Sequence, residues 1–449
     1  MRNHIFQTLF YIQPFATITF LNTFYQWSQF LNSFQWWSIE KIEHYQFHQL
    51  QSVFTHAAST VPYYKQLFQD HHFDPHSLTT VQDIKCLPLL TKDNIRSHQK
   101  TLRSSTYPSS AFQPAYTGGT TGEPLQFYIE KARWLGKHFA FNKIYMQQAG
   151  YKGIQRMVSF AGKAKKIQHH PLLRTIELST FHMHPDDLTS YWKRMQSYKP
   201  QFLSSYPSAL SIFTDYLVKS RKKMTGIKAI FCHGETLTDH QRTLFEDYYD
   251  CRVYDQYGHR EQCVFATTCC ESNMYHINPA YGYVEILNPL VTPSRKSQDQ
   301  GKIVATSLHN PLYPLIRYDT EDIGIVTQNT CECGRNFPLL KRIIGRKQDF
   351  LITKENHPIP LTGLYHVIVE SSTTIRECQL FQDTAGELLV SIVTSEVITN
   401  RELQRIKNHL QDRFTNKFDL TVQQVSSIPR TKGGKFRYLI QKISHPLFD

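Results

Sequence analysis

Apolar residues recur at helical spacing from Ile42 to about Phe68, and Val61-Pro62 interrupts the pattern. An interval of three to four residues marks one face of a helix, and a proline ends one helix or begins the next. The sequence therefore predicts a helical segment that breaks at this proline. Further along, Thr91 precedes Lys92-Asp93-Asn94-Ile95 and is a residue type that caps helix starts.

The middle of the chain alternates short apolar runs with amphipathic stretches. The short runs predict buried strands and the amphipathic stretches predict helices, a rhythm that favours an α/β fold with a mostly parallel sheet. The predicted strands cover Met157 to Phe160, Phe202 to Ser205, Ala229 to Cys232 and Val253 to Gln256, and the predicted helices cover Ala209 to Val218 and Thr238 to Tyr248.

After Gly345 the pattern becomes that of a smaller α+β unit, with predicted strands at 388–393 and 420–425 and a helix at 400–414. A chain of 449 residues also exceeds the size at which one hydrophobic core stops growing, so more than one domain is expected. The predicted units are an N-terminal segment over 1–40, a large domain over 41–344 and a small domain over 345–449.

The N-terminal segment carries no acidic or basic side chain from Ile5 to Ile39 and is crowded with aromatic and aliphatic residues. Polar residues interrupt it too often for a spanning helix, and it shows no small-residue cleavage site of a signal peptide. Two interpretations remain: a segment packed on the body of the protein, or a peripheral contact with a membrane surface.

Composition narrows the function only slightly. The formal charge of +13 permits partners that carry phosphate, such as nucleotides, coenzyme A or anionic lipid. Nucleic acid is not expected, because the basic runs are short and no RNA-binding or helix-turn-helix signature accompanies them. The cysteines number nine, too few for a disulfide scaffold of this length, which favours the cytoplasm, with the inner face of the membrane as the alternative location.

The most specific motif is the loop from Tyr116 to Pro124, with the sequence YTGGTTGEP. Its glycines allow the backbone to approach phosphate oxygens and present amide groups, and its threonine hydroxyls add hydrogen-bond donors. The Gly-Lys-Ser/Thr ending of a Walker loop is missing. The loop therefore predicts a polyphosphate site of another kind.

This loop resembles the T-S/G-G-T-T-G-x-P signature of the adenylate-forming superfamily, and further motifs follow in the order known from that family. The chain is most similar to the phenylacetate-CoA ligase group, particularly the branch associated with capsular polysaccharide loci, from about Gln49 to its end. The other matching motifs are His233 to Glu235, Asp255 to Glu261, Pro314 to Asp322, Gly345-Arg346 and Pro429 to Arg437.

The resemblance implies a large N-terminal domain of α/β subdomains with mixed sheets and a small C-terminal α+β lid domain. It also implies an enzyme that uses ATP and Mg²⁺ to activate a small carboxylic acid as an acyl-AMP. By this resemblance, phosphate is bound by Thr117, Gly118, Gly119, Thr120, Thr121 and Gly122, and Thr121 also takes part in catalysis. Adenine is contacted by Gly234, Glu235, Tyr257 and Gly258, and the ribose by Asp322 and Arg346. Glu261 binds Mg²⁺, and Lys435 bridges the α-phosphate and the attacking carboxylate.

Two residues depart from the family pattern. Arg260 stands where Thr or Ser commonly precedes the motif glutamate, and Glu321 stands where Gly commonly precedes the ribose aspartate. These departures keep a second class of function open, that of a non-catalytic or adenylylating relative that acts as a binding or scaffold protein. Coenzyme A is the acceptor that the resemblance favours, and a sugar amine or other amine is the alternative.

A structural zinc site is also predicted, because thiolates and an imidazole suit tetrahedral Zn²⁺. Buried free thiols are the competing interpretation of these cysteines, but related members of the branch carry a similar pattern. Cys263 and Cys269 are alternatives to the first ligand. The expected ligands are Cys270, His276, Cys331 and Cys333.

Overall fold

A computed structural model describes residues 14–116, 125–153, 155–163, 165–180, 182–183, 185–287, 300–346, 350–356, 358–360, 368, 372, 374–413, 417–430 and 436–443. The chain has the predicted mixed α/β fold, with a large mixed sheet and a smaller sheet near the C-terminus. No described helix is both long enough and apolar enough to cross a membrane.

The first helix, α1, covers Pro14–Phe34 and packs lengthwise on α5, Lys131–Gln147. Its inner side chains, among them Leu31 and Phe34, share a buried core with Phe141 of α5. The N-terminal segment is thus packed on the body of the protein over its described part.

The predicted helix break at Val61-Pro62 is confirmed. Pro62 occupies the first turn of the helix after the break, where its missing N–H costs nothing. The predicted cap at Thr91 is confirmed as well, because Thr91 and Asn94 satisfy each other's backbone N–H groups in a capping box. These helices are α2 over Ile39–Thr60, α3 over Pro62–Asp70 and α4 over Lys92–Ser97.

The large sheet has a parallel half, in which four strands are the predicted apolar runs and a fifth, Thr175–Ser179, was not predicted. They alternate with helices, and the helices and strands enclose one buried cluster. Strand order is β5-β3-β6-β7-β8, with β4 antiparallel at the outer edge. The elements are β3 Met157–Ala161, β4 Ile167–His170, β5 Thr175–Ser179, α6 Pro185–Tyr198, β6 Phe202–Ser205, α7 Pro207–Lys219, β7 Ala229–His233, α8 Asp239–Tyr249 and β8 Arg252–Gly258.

The sheet continues beyond β8 as an antiparallel half in the order β9-β10-β14-β13-β12-β11. This half and a separate hairpin, β1 paired with β2, pack with α2 and α3 around a second cluster. The bounds are β1 Gln113–Tyr116, β2 Gln126–Ile129, β9 Phe265–Thr267, β10 Tyr275–Ile277, β11 Gly282–Leu287, β12 Gln300–Ser307, β13 Tyr318–Val326 and β14 Leu339–Arg346.

The C-terminal part has a buried cluster of its own, drawn from residues between Leu351 and Leu439. A four-stranded sheet in the order β19-β18-β17-β20 packs with helix α9, and the alternation along β18 places every second side chain in this core. The elements are β15 Phe350–Ile352, β16 Pro358–Pro360, β17 Ile375–Gln382, β18 Glu387–Thr394, α9 Asn400–Arg413, β19 Asp419–Gln424 and β20 Leu439–Gln441.

Candidate active site

Two of the expected site elements lie outside the described residues: the loop Thr117 to Gly122 and the lysine Lys435. The structure describes the residues that flank them. Strands β1 and β2, on either side of the loop, pair antiparallel with Tyr116 opposite Gln126. On the far side of the lysine, the chain is described again from Phe436.

The expected adenine and ribose residues meet across the antiparallel half of the sheet. The hydroxyl of Tyr257, on β8, donates to Oδ2 of Asp322, on β13, at 2.7 Å. The carboxylate of Asp322 is buried, and its backbone pairs with that of Arg346 on β14. Residues from three motifs far apart in the sequence are therefore joined within the sheet.

Glu261, the expected Mg²⁺ ligand, follows β8 and is buried. Its Oε1 accepts a hydrogen bond from the hydroxyl of Tyr318 at 2.8 Å, and its Oε2 lies 3.6 Å from Nδ1 of His259. Mg²⁺ is commonly held by one or two carboxylates together with substrate phosphates, so this donor set fits the ion. Sequence reasoning assigned no role to Tyr318 or His259, although both lie within quoted motifs.

The two departures from the family pattern have different structural settings. Glu321 has a φ of 62°, in the left-handed region that favours glycine, and its carboxylate pairs with the Lys92 ammonium. The glycine that is common at this position in the family therefore has a conformational reason. Arg260 is exposed, with its guanidinium carbon 6.0 Å from the ring centroid of Trp134 on α5.

Arg317, the motif arginine four residues before Glu321, is structural. It is buried and forms a two-point ion pair with Glu285 of β11, with N···O distances of 2.9 and 3.1 Å. It also donates to the carbonyl oxygens of Lys85 and Leu87. This network joins β11 and β13 to the chain that precedes α4, and it assigns Arg317 to the scaffold.

The expected adenine turn follows β7. Gly234 has a φ of 79°, which a residue with a β-carbon rarely adopts. The carboxylate of the next residue, Glu235, accepts two backbone N–H groups: Ser208 in the first turn of α7 at 3.0 Å, and Phe436 at 3.1 Å. Glu235 thus connects a free N–H at a helix start with the chain directly after Lys435.

The described residues of the lysine motif, on both sides of Lys435, are held by contacts. Before the lysine, Arg430 forms an ion pair with Glu377 of β17 at 2.7 Å, and its guanidinium carbon lies 4.5 Å from the ring centroid of Phe436. After the lysine, the carbonyl oxygen of Arg437 accepts a hydrogen bond from Gln379 at 2.9 Å. The motif is therefore fixed to β17 at both of its described parts.

A second polar cluster, which we call the thiol cluster, consists of Cys269, His276, Cys331 and Cys333. Their ligand atoms lie within 4.8 Å of one another, with 3.5 Å between the sulfurs of Cys269 and Cys331. Burial, helped by Arg335, lowers the pKa of His276 to about 4, so the imidazole is neutral at pH 7, the form that binds metals. This donor set fits tetrahedral zinc.

The first member of the thiol cluster is Cys269, where the sequence led us to expect Cys270. Cys269 is buried among the other ligands and Cys270 is exposed. The two cysteines are adjacent after the end of β9, and only the thiol of Cys269 lies among the other three ligands. Cys269 was one of the two alternatives that the sequence left open, and Cys263, the other, is buried elsewhere.

Several known proteins are similar to this chain in sequence. Residues 351–442 match the family described as the CapK C-terminal domain. The protein CapK of Staphylococcus aureus is 27% identical over 397 residues, which are 85% of each chain. A phenylacetate-coenzyme A ligase of Thermus thermophilus is 21% identical over 89% of this chain and 96% of its own.

Among solved structures, a 2-hydroxyisobutyryl-CoA ligase, crystallised in the postadenylation state with R3-HIB-AMP, superimposes with a TM-score of 0.71. The alignment covers 91% of both chains at 19% identity, so it establishes a shared fold. The order of the motifs, the match of residues 351–442 and the sequence relatives together support the adenylate-forming superfamily of ligases, and within it the CapK-like branch.

Proposed function

We propose that this enzyme uses ATP to convert a carboxylic acid into an acyl-adenylate and then transfers the acyl group to coenzyme A or an amine. A carboxylate oxygen attacks the α-phosphorus, the bond to the bridging oxygen breaks and pyrophosphate leaves. In the second step the acceptor's sulfur or nitrogen attacks the acyl carbon and AMP leaves. Such chemistry depends on positioned charges more than on a nucleophilic side chain.

The observation that carries this proposal is the hydrogen bond from the backbone N–H of Phe436 to Glu235. Phe436 is the next residue after Lys435 in the sequence, and its backbone N–H contacts the expected adenine turn. A lysine motif that was unrelated to the nucleotide would have no reason to be joined there. The contact supports delivery of this ammonium to the α-phosphate.

The remaining roles follow from the groups that meet in the cleft. Asp322 accepts hydrogen bonds from the ribose hydroxyls, with one of its oxygens oriented by Tyr257. Glu261 holds Mg²⁺, which neutralises phosphate charge when bound, and Tyr318 fixes the carboxylate. The loop Thr117 to Gly122 binds the β and γ phosphates, and Arg346 assists at the ribose.

Further parts of the proposal concern organisation. Residues 1–40, 41–344 and 345–449 form three units, of which the last is a lid that carries Lys435. The separate C-terminal core supports this division. The thiol cluster holds a structural Zn²⁺ that ties the loop around Cys331 to β10, and its closed set of four ligands supports a structural rather than catalytic metal.

We also propose that the enzyme works in the cytoplasm, at the inner face of the membrane, in the formation of a capsule or cell-envelope polysaccharide. The resemblance to the capsule-associated branch supports this setting. In that setting a sugar amine is an acceptor to be tested beside coenzyme A.

Carboxylate-dependent exchange of labelled pyrophosphate into ATP tests the first step directly. A panel of aromatic, aliphatic and hydroxy acids is compared with a sample lacking acid, and exchange is expected with at least one class. Product analysis with coenzyme A and with amino sugars then identifies the acceptor. Tight ATP binding without exchange for any acid would instead support a binding or scaffold role.

A further inference from the structure

The outward face of α1 is unusually apolar. Of the eight large apolar side chains that are exposed in the described part of the chain, five lie between residues 18 and 39. Three of them, Ile18, Leu21 and Tyr25, follow one another at intervals of three and four, so they share one face of α1. They are 58%, 50% and 64% exposed.

We propose that this face docks on the surface of an anionic lipid bilayer. We call it the α1 stripe, defined by Ile18, Leu21 and Tyr25; Trp36 and Ile39 are also exposed, further along the chain after α1 ends at Phe34. The proposal is independent of the catalytic reaction. It concerns a surface contact only, since no described helix meets the requirements for spanning.

The first argument is the absence of charge. From Ile5 to Ile39 the chain has no acidic or basic residue, and the exposed polar neighbours of the stripe are amides and hydroxyls, such as Asn22 and Gln26. The stripe can therefore enter the headgroup region without desolvating an ion of its own. The opposite face of α1 is already occupied by its packing on α5, which fixes the stripe outward.

The second argument is the charge at the rim. A cationic side chain lies close to each of three aromatic rings in this segment. Nζ of Lys143 is 5.4 Å from the ring centroid of Phe24. Cζ of Arg335 is 4.8 Å from the ring centroid of Trp36, and Nζ of Lys41 is 3.8 Å from that of Trp37. Cations beside tryptophan and aliphatic groups suit the boundary between anionic headgroups and acyl chains. The exposed carboxylates of Glu40 and Glu43, at the start of α2, mark the edge of this surface.

Lipid fits the stripe better than a second copy of the chain. A stable protein interface buries about 800 Å² on each partner in a closely fitting patch, and three side chains on one helix offer much less. A bilayer accommodates isolated side chains without shape complementarity.

Vesicle flotation of the full chain tests the proposal. Wild type should float with vesicles of phosphatidylcholine mixed with phosphatidylglycerol, and float less with phosphatidylcholine alone or at high salt. A triple variant, Ile18→Gln, Leu21→Gln and Tyr25→Gln, should reduce recovery at least about fivefold. Val218→Gln is the matched control, because Val218 is 50% exposed in the last turn of α7.

A charge variant separates the two arguments. Lys143→Gln should weaken flotation with the anionic vesicles and leave recovery with phosphatidylcholine unchanged. Pyrophosphate exchange should be the same in all variants, so loss of flotation does not bear on the ligase proposal. Equal flotation of wild type and triple variant would overturn the inference, and so would a wild-type dimer in light scattering that the triple variant abolishes.

Discussion

Polar side chains lie at the turn between β8 and β9, the first turn, and around the turn between β9 and β10, the second turn. The two sets of side chains differ in their donor atoms. At the first turn the Glu261 carboxylate accepts a hydrogen bond from Tyr318 and lies 3.6 Å from Nδ1 of His259. At the second turn the thiol of Cys269 and the imidazole of His276 face other soft ligands. Hard oxygen donors suit exchangeable Mg²⁺ and phosphate, whereas soft donors suit a permanent metal. We call the first turn the reactive end and the second turn the stapled end, after the roles that we propose for their side chains.

The largest effect is expected at the reactive end. Lys435→Ala should lower acid-dependent pyrophosphate exchange by ~10²–10³, because one preorganised charge contact to the transition state is lost. Its unfolding midpoint should match that of wild type. Lys432→Ala, in the same motif, is the control and should retain most of the exchange activity. Equal activity of Lys435→Ala and wild type would refute the assigned role.

The stapled end should respond in metal affinity instead. Cys269→Ser should weaken zinc binding by at least ~10²-fold, since even changes outside the ligand set cost 10–100-fold, while the adjacent Cys270→Ser should leave it unaltered. Competition with a chromogenic chelator measures both. Purified wild type with less than about a tenth of an equivalent of zinc would remove the metal from this cluster.

Asp255 lies on β8 between the two ends. Its carboxylate is buried against the Tyr275 hydroxyl, and burial raises its pKa to about 6. Its folded pKa exceeds its unfolded value, so the stability it contributes is lost as pH rises through about 6. The side chain of Asn does not titrate, so between about pH 4 and pH 7 the free energy of unfolding of Asp255→Asn should rise by about 2 kcal/mol relative to that of wild type. Urea unfolding of both proteins across this range measures the difference, and a constant difference would contradict the shift.

A smaller effect is expected from Glu235. Glu235→Ala removes the acceptor of the Phe436 N–H and should slow adenylation about tenfold, the size of one hydrogen bond to a charged group. Transfer from chemically prepared acyl-AMP should stay near the wild-type rate. Glu235→Gln keeps a carbonyl oxygen as an acceptor, so its adenylation rate should lie between those of wild type and Glu235→Ala. Equal loss in both half-reactions would point to damaged folding rather than lost positioning.

The smallest effect concerns the backbone at Glu321. Glu321→Gly and Glu321→Ala both lose the pairing with Lys92, but only glycine adopts the positive φ without cost. The glycine variant should therefore be more stable by about 1 kcal/mol. Thermal unfolding of the two variants compares them, and an alanine variant of equal or greater stability would show that the conformation carries no strain.

Local patterns predicted only part of the elements, chiefly buried strands and capped helices. The buried runs became β3, β6, β7 and β8, and the cap at Thr91 formed because its signals act within one turn of helix. The fold class and its family followed from the order of the motifs. The domain bounds and the roles of the site residues remain predictions.

Long-range register was what the sequence could not supply. The partner of Glu261 is 57 residues away at Tyr318, and that of Arg317 is 32 residues away at Glu285. Whether Cys269 or Cys270 faces His276 depends on the pairing of β9 with β10, which no local pattern encodes. The identity of a motif residue therefore did not reveal whether its side chain binds the nucleotide or supports the fold. Arg317, for example, lies in a motif and forms a structural ion pair with Glu285.

The close approach of α1 and α5 has a consequence for the evolution of this branch. A β-carbon at Gly136 would lie 2.8 Å from the Phe20 carbonyl oxygen and 2.9 Å from the Thr23 Cβ. Glycine in mid-helix costs about 1 kcal/mol relative to alanine, so it is retained only while a neighbour fills the space above it. Homologues that lose their first helix are released from this constraint, and alanine or larger residues should accumulate in them at the position aligned with Gly136.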